Sequence, residues 1–287
     1  MKPFDFFQPQ STDAAIAELV AHGPNVKILA GGTDAVVDLK HTPDSLGLVV
    51  DISRLDDLKG ISLTDAGLRI GAGVTHTDIV TNLLIAEHAP ALVDAARTIG
   101  AVQTRNLGTL GGNLVTCMPA MDSGPTLIAL EAEVTIVGCS GKRTIPLGEF
   151  FIGYRKTVLA KDELLLEIVI PKLNLGKPAS FIKFGLRKGQ ALALVNAASA
   201  LWVENGRFKD ARISLGAVAP VVIRAPKAEA VLEGQAISKE RIDEAAKAAV
   251  TEANPIDDFR ASRKYRSNLI EVGVRRTLTA AIDVASN

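Results

Sequence analysis

The spacing of hydrophobic residues predicts that the chain begins with alternating helices and strands. Ser11 precedes apolar residues at helical spacing and Gly23 follows them, which predicts a capped amphipathic helix of about three turns. Continuous apolar runs predict buried strands over residues 26–30 and 48–52, with a helical turn at 35–39 between them.

The centre of the chain loses this regularity. We predict a strand at 68–70, a helix from the Thr75 cap to about Ala86, and another from Pro90 to Gly100. Between Gly100 and Pro125 no periodicity remains, which predicts a long irregular loop followed by a helix that starts at Pro125. Such a loop inside a compact domain is usually functional.

The remaining pattern predicts strands and then helices. The predicted strands of the next segment are 133–138, 142–147 and 164–170. Residues 172–178 then indicate a domain boundary. Beyond it, runs at 181–187, 192–203 and 208–218 predict a three-stranded antiparallel meander with an Asn205-Gly206 hairpin turn. Two helices, 239–252 and 262–284, end the chain.

The composition argues against a disordered, nucleic-acid-binding or membrane-spanning protein. The 287 residues are 47% hydrophobic and 22% charged, which predicts two or three packed subdomains rather than disorder. The 32 basic residues balance 32 acidic ones, so the charge does not favour nucleic acid or an anionic membrane as a partner. The longest weakly polar stretch is far shorter than the roughly 20 residues that cross a bilayer. Because the N-terminal decapeptide lacks the apolar core of a leader, we expect a cytoplasmic protein.

Cysteines and histidines predict no metal site in this chain. Cys117 and Cys139 are too few to ligate an iron-sulphur cluster or a structural zinc, and we expect them to be unpaired. The four histidines lack metal-ligand spacing, and we expect surface or capping roles for them: His22, His41, His76 and His88.

Two glycine pairs suggest a ligand site. Gly31-Gly32 lies in residues 30–34, the first loop, and Gly111-Gly112 in residues 109–113, the second loop. Successive amide N–H groups at such bends bind anions, and hydroxyl and amide side chains in both loops could help to hold a pyrophosphate: Thr33, Thr109 and Asn113. Alternatively, each pair only makes a turn. Asp122, farther on, is either a helix cap or a carboxylate that bonds sugar or ribityl hydroxyls.

These residues resemble a known family. The run Ile99-Gly100-Ala101-Val102-Gln103-Thr104-Arg105-Asn106-Leu107-Gly108-Thr109-Leu110-Gly111-Gly112-Asn113, together with Ala30-Gly31-Gly32-Thr33-Asp34, is similar to the FAD subunit of molybdenum hydroxylases. That family includes the medium subunit of carbon monoxide dehydrogenase and the flavin domain of xanthine dehydrogenase. The resemblance extends over the whole chain through four supporting motifs: Gly153-Tyr154-Arg155-Lys156-Thr157, Ile168-Val169-Ile170-Pro171, Arg187-Lys188-Gly189 and Tyr265-Arg266.

The resemblance implies an α+β fold. Residues 1–176 would form a two-subdomain FAD-binding fold of the PCMH or vanillyl-alcohol-oxidase-like type, with subdomains at about 1–58 and 59–176. Residues 177–287 would form the C-terminal domain of the flavoprotein subunit, a three-stranded antiparallel sheet with helices.

The resemblance also implies the cofactor and its contacts. FAD would be bound noncovalently, and no residue is assigned as catalytic or as a metal ligand. The implied FAD-binding residues are Lys27, Ile28, Leu29, Ala30, Gly31, Gly32, Thr33, Asp34, Ile99, Thr109, Leu110, Gly111, Gly112, Asn113, Asp122, Leu165 and Lys183. From the pattern alone, Ile99 and Leu165 would be core residues and Lys183 a solvated strand residue. Leu192 departs from relatives that place a tyrosine over the flavin there.

The implied function is electron transfer in an assembly. A molybdopterin-binding large subunit would hydroxylate the substrate, two [2Fe-2S] clusters on a small subunit would relay electrons, and this chain's FAD would pass them to an external acceptor. The implied assembly is a dimer of heterotrimers. Two alternatives stay open: a self-contained flavin oxidoreductase, similar to cell-wall nucleotide-sugar reductases, and a non-catalytic scaffold of the same fold.

Overall fold

The N-terminal part alternates strands and helices, as the hydrophobic pattern predicts. A computed structural model of the chain describes residues 3–41 and 47–286, so the start of the N-terminal decapeptide and part of the predicted subdomain 1–58 lie outside it. The elements are β1 (Asp5–Phe7), α1 (Thr12–His22), β2 (Val26–Leu29), α2 (Ala35–His41) and β3 (Leu48–Asp51). The strands form a parallel sheet in the order β1-β3-β2. Ser11 accepts the N–H of Ala14 and Gly23 ends α1 at φ 56°, which confirms both caps.

The central part is built on a five-stranded antiparallel sheet in the order β4-β5-β10-β6-β7. Its elements are β4 (Ile61–Leu63), β5 (Gly67–Gly71), α3 (His76–Thr81), α4 (Leu83–His88), α5 (Pro90–Arg97), α6 (Val102–Leu107), α7 (Leu110–Thr116), α8 (Ser123–Ala129), β6 (Glu133–Gly138), β7 (Gly141–Pro146), α9 (Leu147–Phe150), β8 (Phe151–Gly153), β9 (Lys156–Thr157) and β10 (Leu164–Pro171). The sequence pattern predicts β5, β6, β7 and β10 and misses the short β4, β8 and β9.

Two predictions about the helices of this part are wrong. The helix expected from Thr75 to Ala86 is interrupted at Asn82, whose extended backbone ends α3 and whose side chain accepts the N–H of Ile85 to begin α4. The predicted irregular loop contains α6, α7 and the start of α8, which begins at Ser123 rather than at Pro125. Helices of six or seven residues are too short to show a hydrophobic period.

The C-terminal part is an antiparallel sheet covered by helices. Its elements are β11 (Ala179–Gly185), β12 (Ala193–Glu204), β13 (Arg207–Gly216), β14 (Ile223–Arg224), α10 (Pro226–Leu232), α11 (Lys239–Glu252) and α12 (Arg263–Ala285). The predicted meander is present, with the two-residue β14 added at its edge. Asn205 and Gly206 both have positive φ, 52° and 71°, as the predicted hairpin turn requires. No helix within residues 3–41 and 47–286 is long and apolar enough to cross a membrane.

The interior consists of three apolar clusters. The largest packs the five-stranded sheet against α3–α5 and α7–α9 and includes Ala198 and Ala200 of β12. A second lies between the C-terminal sheet and α10–α12, and a third joins α1 and β3 to Val137 and Leu164 of the central sheet. These contacts place the three parts around one another and leave a cleft between them.

Ion pairs connect strand β13 to residues outside the C-terminal sheet. Lys177, in the predicted boundary segment, has a fully buried side chain whose Nζ lies 2.6 Å from the Asp210 carboxylate in β13. Burial lowers the pKa of Lys177, and the hydrogen bond to Asp210 opposes that shift. Arg212 of β13 donates to Glu131, which follows α8, at 2.7 Å. The boundary after residue 176 stays a prediction.

Candidate cofactor-binding site

A cleft of about 940 Å³ lies where the end of β2, helices α6 and α7, and strand β11 meet. Its volume is at the upper end of the range for small-molecule sites. Leu29 and Leu110 do not line it: Leu29 packs beneath Gly32, and Leu110 is fully buried in the main core. The other fifteen predicted positions do: Lys27, Ile28, Ala30, Gly31, Gly32, Thr33, Asp34, Ile99, Thr109, Gly111, Gly112, Asn113, Asp122, Leu165 and Lys183.

The first loop presents free backbone donors. It connects β2 to α2, and Gly32 has φ 75°, a conformation that glycine adopts at little cost. Within the described ranges, the amide N–H groups of Gly31, Gly32, Thr33 and Asp34 donate to no protein acceptor. Adjacent free N–H groups at a bend form a concavity that binds phosphate. The first loop therefore fits a diphosphate.

Gly31 has a second role, which is to bring the first loop against α6. A Cβ on Gly31 would lie 1.7 Å from the carbonyl oxygen of Leu107 and 3.0 Å from the amide nitrogen of Gly108. Only glycine permits this approach of two backbone segments. Gly31 thus sets the distance between the first loop and the segment that leads into the second.

The second loop offers side chains instead of amides. The Thr109 hydroxyl accepts the N–H of Gly112 at 3.0 Å and caps α7. The N–H groups of Leu110 and Gly111 donate to carbonyl oxygens of the turn at residues 72–74, at 2.9 and 2.8 Å. The prediction of a second amide concavity is therefore wrong, because the amides of the first turn of α7 already have acceptors in the protein.

Gly112 and Asn113 are the members of the second loop that leave room and polar groups for a ligand. A Cβ on Gly112 would meet only the Thr109 hydroxyl within 4 Å, at 2.9 Å. The Asn113 Oδ1 accepts a hydrogen bond from the Ser123 hydroxyl at 2.6 Å, which leaves the amide nitrogen available as a donor. Gly111, in contrast, packs against Ala72. A Cβ added to Gly111 would lie 2.6 Å from the Cβ of Ala72.

Asp122 and Lys183 form a buried ion pair beside the cleft. The two side chains are 6% and 8% exposed and 2.5 Å apart, and Asn196 donates to the other Asp122 oxygen at 3.0 Å. Burial raises the pKa of the Asp122 carboxyl, while Lys183 and Asn196 oppose that shift. Asp122 makes no cap bond to α8, so the interpretation as a helix cap is wrong. Lys183 is not the solvated residue that the pattern alone predicts.

The other predicted contacts differ in their surroundings. Leu165 is 5% exposed and belongs to the main core as well as to the cleft wall. Ile99 is half-buried just after α5. Leu192 lines the cleft with 58% of its surface exposed, which places it at the cleft rather than in the sheet interior.

Among the cleft residues that were not predicted are Asp38, Arg155 and His76. Asp38 of α2 lies 3.1 Å from the Nζ of Lys27 and 2.7 Å from Arg155, which has φ 53° in the turn between β8 and β9. Burial raises the pKa of Asp38, but the two cations outweigh it and lower the pKa. His76, at the start of α3, is 2% exposed, so its predicted surface or capping role is wrong. The sequence signal for His76 was the Thr75 cap, which fixes it at the first helical position.

The cleft has the chemistry of a nucleotide-cofactor site. No group of three His, Cys, Asp or Glu side chains that could hold a metal ion occurs in residues 3–41 and 47–286. Cys117 and Cys139 are free thiols, as predicted. Free amides, hydroxyl and amide donors, and a buried carboxylate line a single cleft. These groups fit the phosphates and hydroxyls of FAD.

Comparisons with known proteins agree with this chemistry. Residues 2–173 match the FAD binding domain in molybdopterin dehydrogenase, and residues 180–281 match the CO dehydrogenase flavoprotein C-terminal domain. The chain is 30% identical to the xanthine dehydrogenase FAD-binding subunit of Escherichia coli O157:H7, with 98% of each chain covered. It is 31% identical to the carbon monoxide dehydrogenase medium chain of Hydrogenophaga pseudoflava, with 97% of this chain and 96% of that one covered.

Solved structures lead to the same conclusion. The fold matches a chain of carbon monoxide dehydrogenase from Hydrogenophaga pseudoflava with a TM-score of 0.94, at 32% identity over 99% of both chains. It matches a chain of quinoline 2-oxidoreductase from Pseudomonas putida 86 with a TM-score of 0.91, at 30% identity over 99% of this chain and 100% of that one. The predicted α+β fold is confirmed. The chain therefore belongs to the FAD-binding subunits of the molybdenum hydroxylase family, and it is an oxidoreductase subunit.

Proposed function

We propose that this chain holds FAD as the electron-transfer subunit of a multi-subunit molybdenum hydroxylase. It takes electrons from [2Fe-2S] clusters on a partner small subunit and passes them to an external acceptor, while a molybdopterin-binding large subunit oxidises the substrate. The assembly is a dimer of heterotrimers in the cytoplasm. The observation that carries the proposal is the convergence of three distant segments on one cleft: the first loop, the second loop, and the stretch that contains Lys183 and residues 190–192.

Different residues of the chain bind different parts of the cofactor. The free amides of the first loop bind the diphosphate, and Thr109 and Asn113 of the second loop add donors from the opposite wall. Asp122 accepts hydrogen bonds from sugar or ribityl hydroxyls, with Lys183 keeping the carboxylate paired. Leu192 covers one face of the ring system. The proposal divides the chain into an FAD-binding domain, 1–176, and a C-terminal domain, 177–287.

No residue of the chain is assigned to proton transfer. FAD supplies the redox chemistry when bound, and the protein binds and orients it. The Asp122 carboxylate, the most buried acid of the cleft, is committed to its ion pair with Lys183 and its bond from Asn196. Because two donors hold this carboxylate in place, its role is to position the cofactor and not to accept a proton.

The proposal is tested on the purified full chain and on its native complex. We expect about one FAD per chain, released into solution by acid precipitation, and neither iron nor molybdenum in the isolated chain. The chain purified from its source should carry with it an iron and molybdenum protein.

Three results would contradict the proposal in different ways. A yellow pellet after acid would indicate covalent flavin. Oxidation of a substrate by the isolated chain at full rate would indicate a self-contained flavin oxidoreductase. A colourless chain that takes up no added FAD would indicate a scaffold with this fold.

A further inference from the structure

His76 lies where the two loops meet. Its backbone N–H donates to the carbonyl oxygen of Gly108 at 3.0 Å, just before the second loop. A Cβ on Gly108 would lie 3.4 Å from the imidazole Cδ2 and 3.5 Å from the Thr33 hydroxyl of the first loop. The imidazole and the Thr33 hydroxyl therefore flank the same glycine, and His76 is part of the cleft wall.

The imidazole has an unpaired nitrogen although it is almost fully buried. Its Nδ1 is enclosed and has no hydrogen-bond partner among the described residues. Buried polar atoms in folded proteins are nearly always paired, and an enclosed Nδ1 cannot reach a ligand, so any polar contact of His76 with the cleft has to come from its other ring nitrogen. Of the two ring nitrogens only Nδ1 is enclosed without a partner, and His76 lines the cleft, so Nε2 is the nitrogen that can meet a ligand there.

The protonation of the ring determines what it can offer. Burial, together with the nearby Arg105 cation, lowers the pKa of His76 to about 4, so the imidazole is neutral at physiological pH. A neutral imidazole carries a single N–H. An N–H at Nδ1 would be buried without an acceptor, which is costly, so the favoured tautomer carries the proton on Nε2. The ring thus directs a donor, not an acceptor, at the cleft.

We propose that His76 is a cofactor-binding residue: its Nε2–H donates a hydrogen bond to a phosphate oxygen of the FAD diphosphate at the junction of the two loops. The inference rests on the proposed function and adds a binding group to it. The neighbouring groups support the choice of phosphate over the ring or the ribityl chain. The free amides of the first loop and the Thr33 hydroxyl are donors too, and a cluster of hydrogen-bond donors fits an anion.

The test compares three substitutions of His76 in the full chain. His76→Leu removes the donor, His76→Asn offers an amide only where Nδ1 stands, and His76→Gln offers one near Nε2. FAD dissociation constants are measured by quenching of flavin fluorescence, and melting temperatures are measured without FAD. We expect His76→Leu and His76→Asn to weaken FAD binding by about 10-fold to 100-fold, and His76→Gln to keep most of the affinity.

The melting temperatures separate a binding role from a structural one. His76→Leu should leave the melting temperature of the FAD-free chain unchanged or raise it, because it removes an unpaired buried nitrogen. Thr126→Val is the matched control: the Thr126 hydroxyl is also buried and unpaired, but it lies in α8 outside the cleft, so FAD affinity should not change.

The inference and the proposed function can fail separately. Wild-type FAD affinity in His76→Leu, or equal losses in the Gln and Leu variants, would overturn the inference and leave the flavoprotein assignment standing. A parallel fall in FAD affinity and in the FAD-free melting temperature of His76→Leu would also overturn it. If the wild-type chain binds no FAD, the proposed function itself is refuted.

Discussion

The substitution Gly31→Ala should push the first loop away from α6 and weaken FAD binding. The new Cβ would lie 1.7 Å from the carbonyl oxygen of Leu107, and real Cβ atoms keep at least 3.0 Å, so the contact has to open by 1.3 Å or more. Both sides of the contact are backbone, so no side-chain rotation relieves it. Overpacking of this kind lowers the free energy of unfolding by about 1–3 kcal/mol.

Two measurements test the effect of Gly31→Ala on stability and on FAD binding. Urea unfolding without FAD gives the loss of stability, and fluorescence titration gives the FAD dissociation constant. FAD at 100 times its dissociation constant stabilises a binding-competent chain by about 2.7 kcal/mol, and Gly31→Ala should lose most of that increment. Gly148→Ala is the control, since no atom lies within 4 Å of a Cβ there. It should leave stability unchanged or raise it by up to about 1 kcal/mol.

The reasoning is refuted by a Gly31→Ala chain that unfolds at the wild-type urea midpoint and binds FAD with wild-type affinity. Such a result would mean that the first loop does not need its close contact with Leu107 to form the phosphate site. A loss of stability with unchanged FAD affinity would show that Gly31 is needed for packing but not for FAD binding.

Three further predictions concern the cleft. Lys183→Met should lower the free energy of unfolding at neutral pH by about 3–5 kcal/mol, since it leaves the Asp122 carboxylate buried without its cation. Burial already raises the pKa of Asp122 and the variant raises it further, so its stability should increase from pH 7.5 to pH 5.5 in urea unfolding. Leu192→Tyr should change the flavin spectrum and the rate of acceptor reduction more than the melting temperature, because this side chain is 58% exposed at the cleft. Added FAD should raise the melting temperature of Gly206→Val but not of Gly112→Val; an equal response in both variants would make the second loop only a turn.

The sequence predicts those features that short-range patterns encode. The strand β6 and the helix α11 have the predicted bounds, since a continuous run of β-branched residues and a Ser238 cap define them locally. The two loops were found because a pair of glycines after a buried strand, or within a run that lacks periodicity, needs an explanation. Their joint placement on one cleft came from the family resemblance.

The features that the sequence did not predict depend on distant partners. Asp122 and Lys183 are 61 residues apart, and the sequence around Lys183 does not indicate that its side chain is buried against a carboxylate. The helix α7 was missed because it is seven residues long and contains two glycines, yet the Thr109 cap and the carbonyls of residues 72–74 hold its first turn. The burial of His76 follows from the packing of Gly108 and could not be derived from its own neighbours along the chain.

The buried ion pairs beside the predicted domain boundary have a consequence for how the cofactor enters. The Arg212–Glu131 pair and the buried Lys183–Asp122 pair join the C-terminal part to the central part, and separating the two parts would leave the Asp122 carboxylate without its cation. Hinged parting of the two halves is therefore a rare event in the folded chain. FAD that arrives after folding would then enter through the mouth of the cleft, where Leu192 is exposed, and not by separation of the domains.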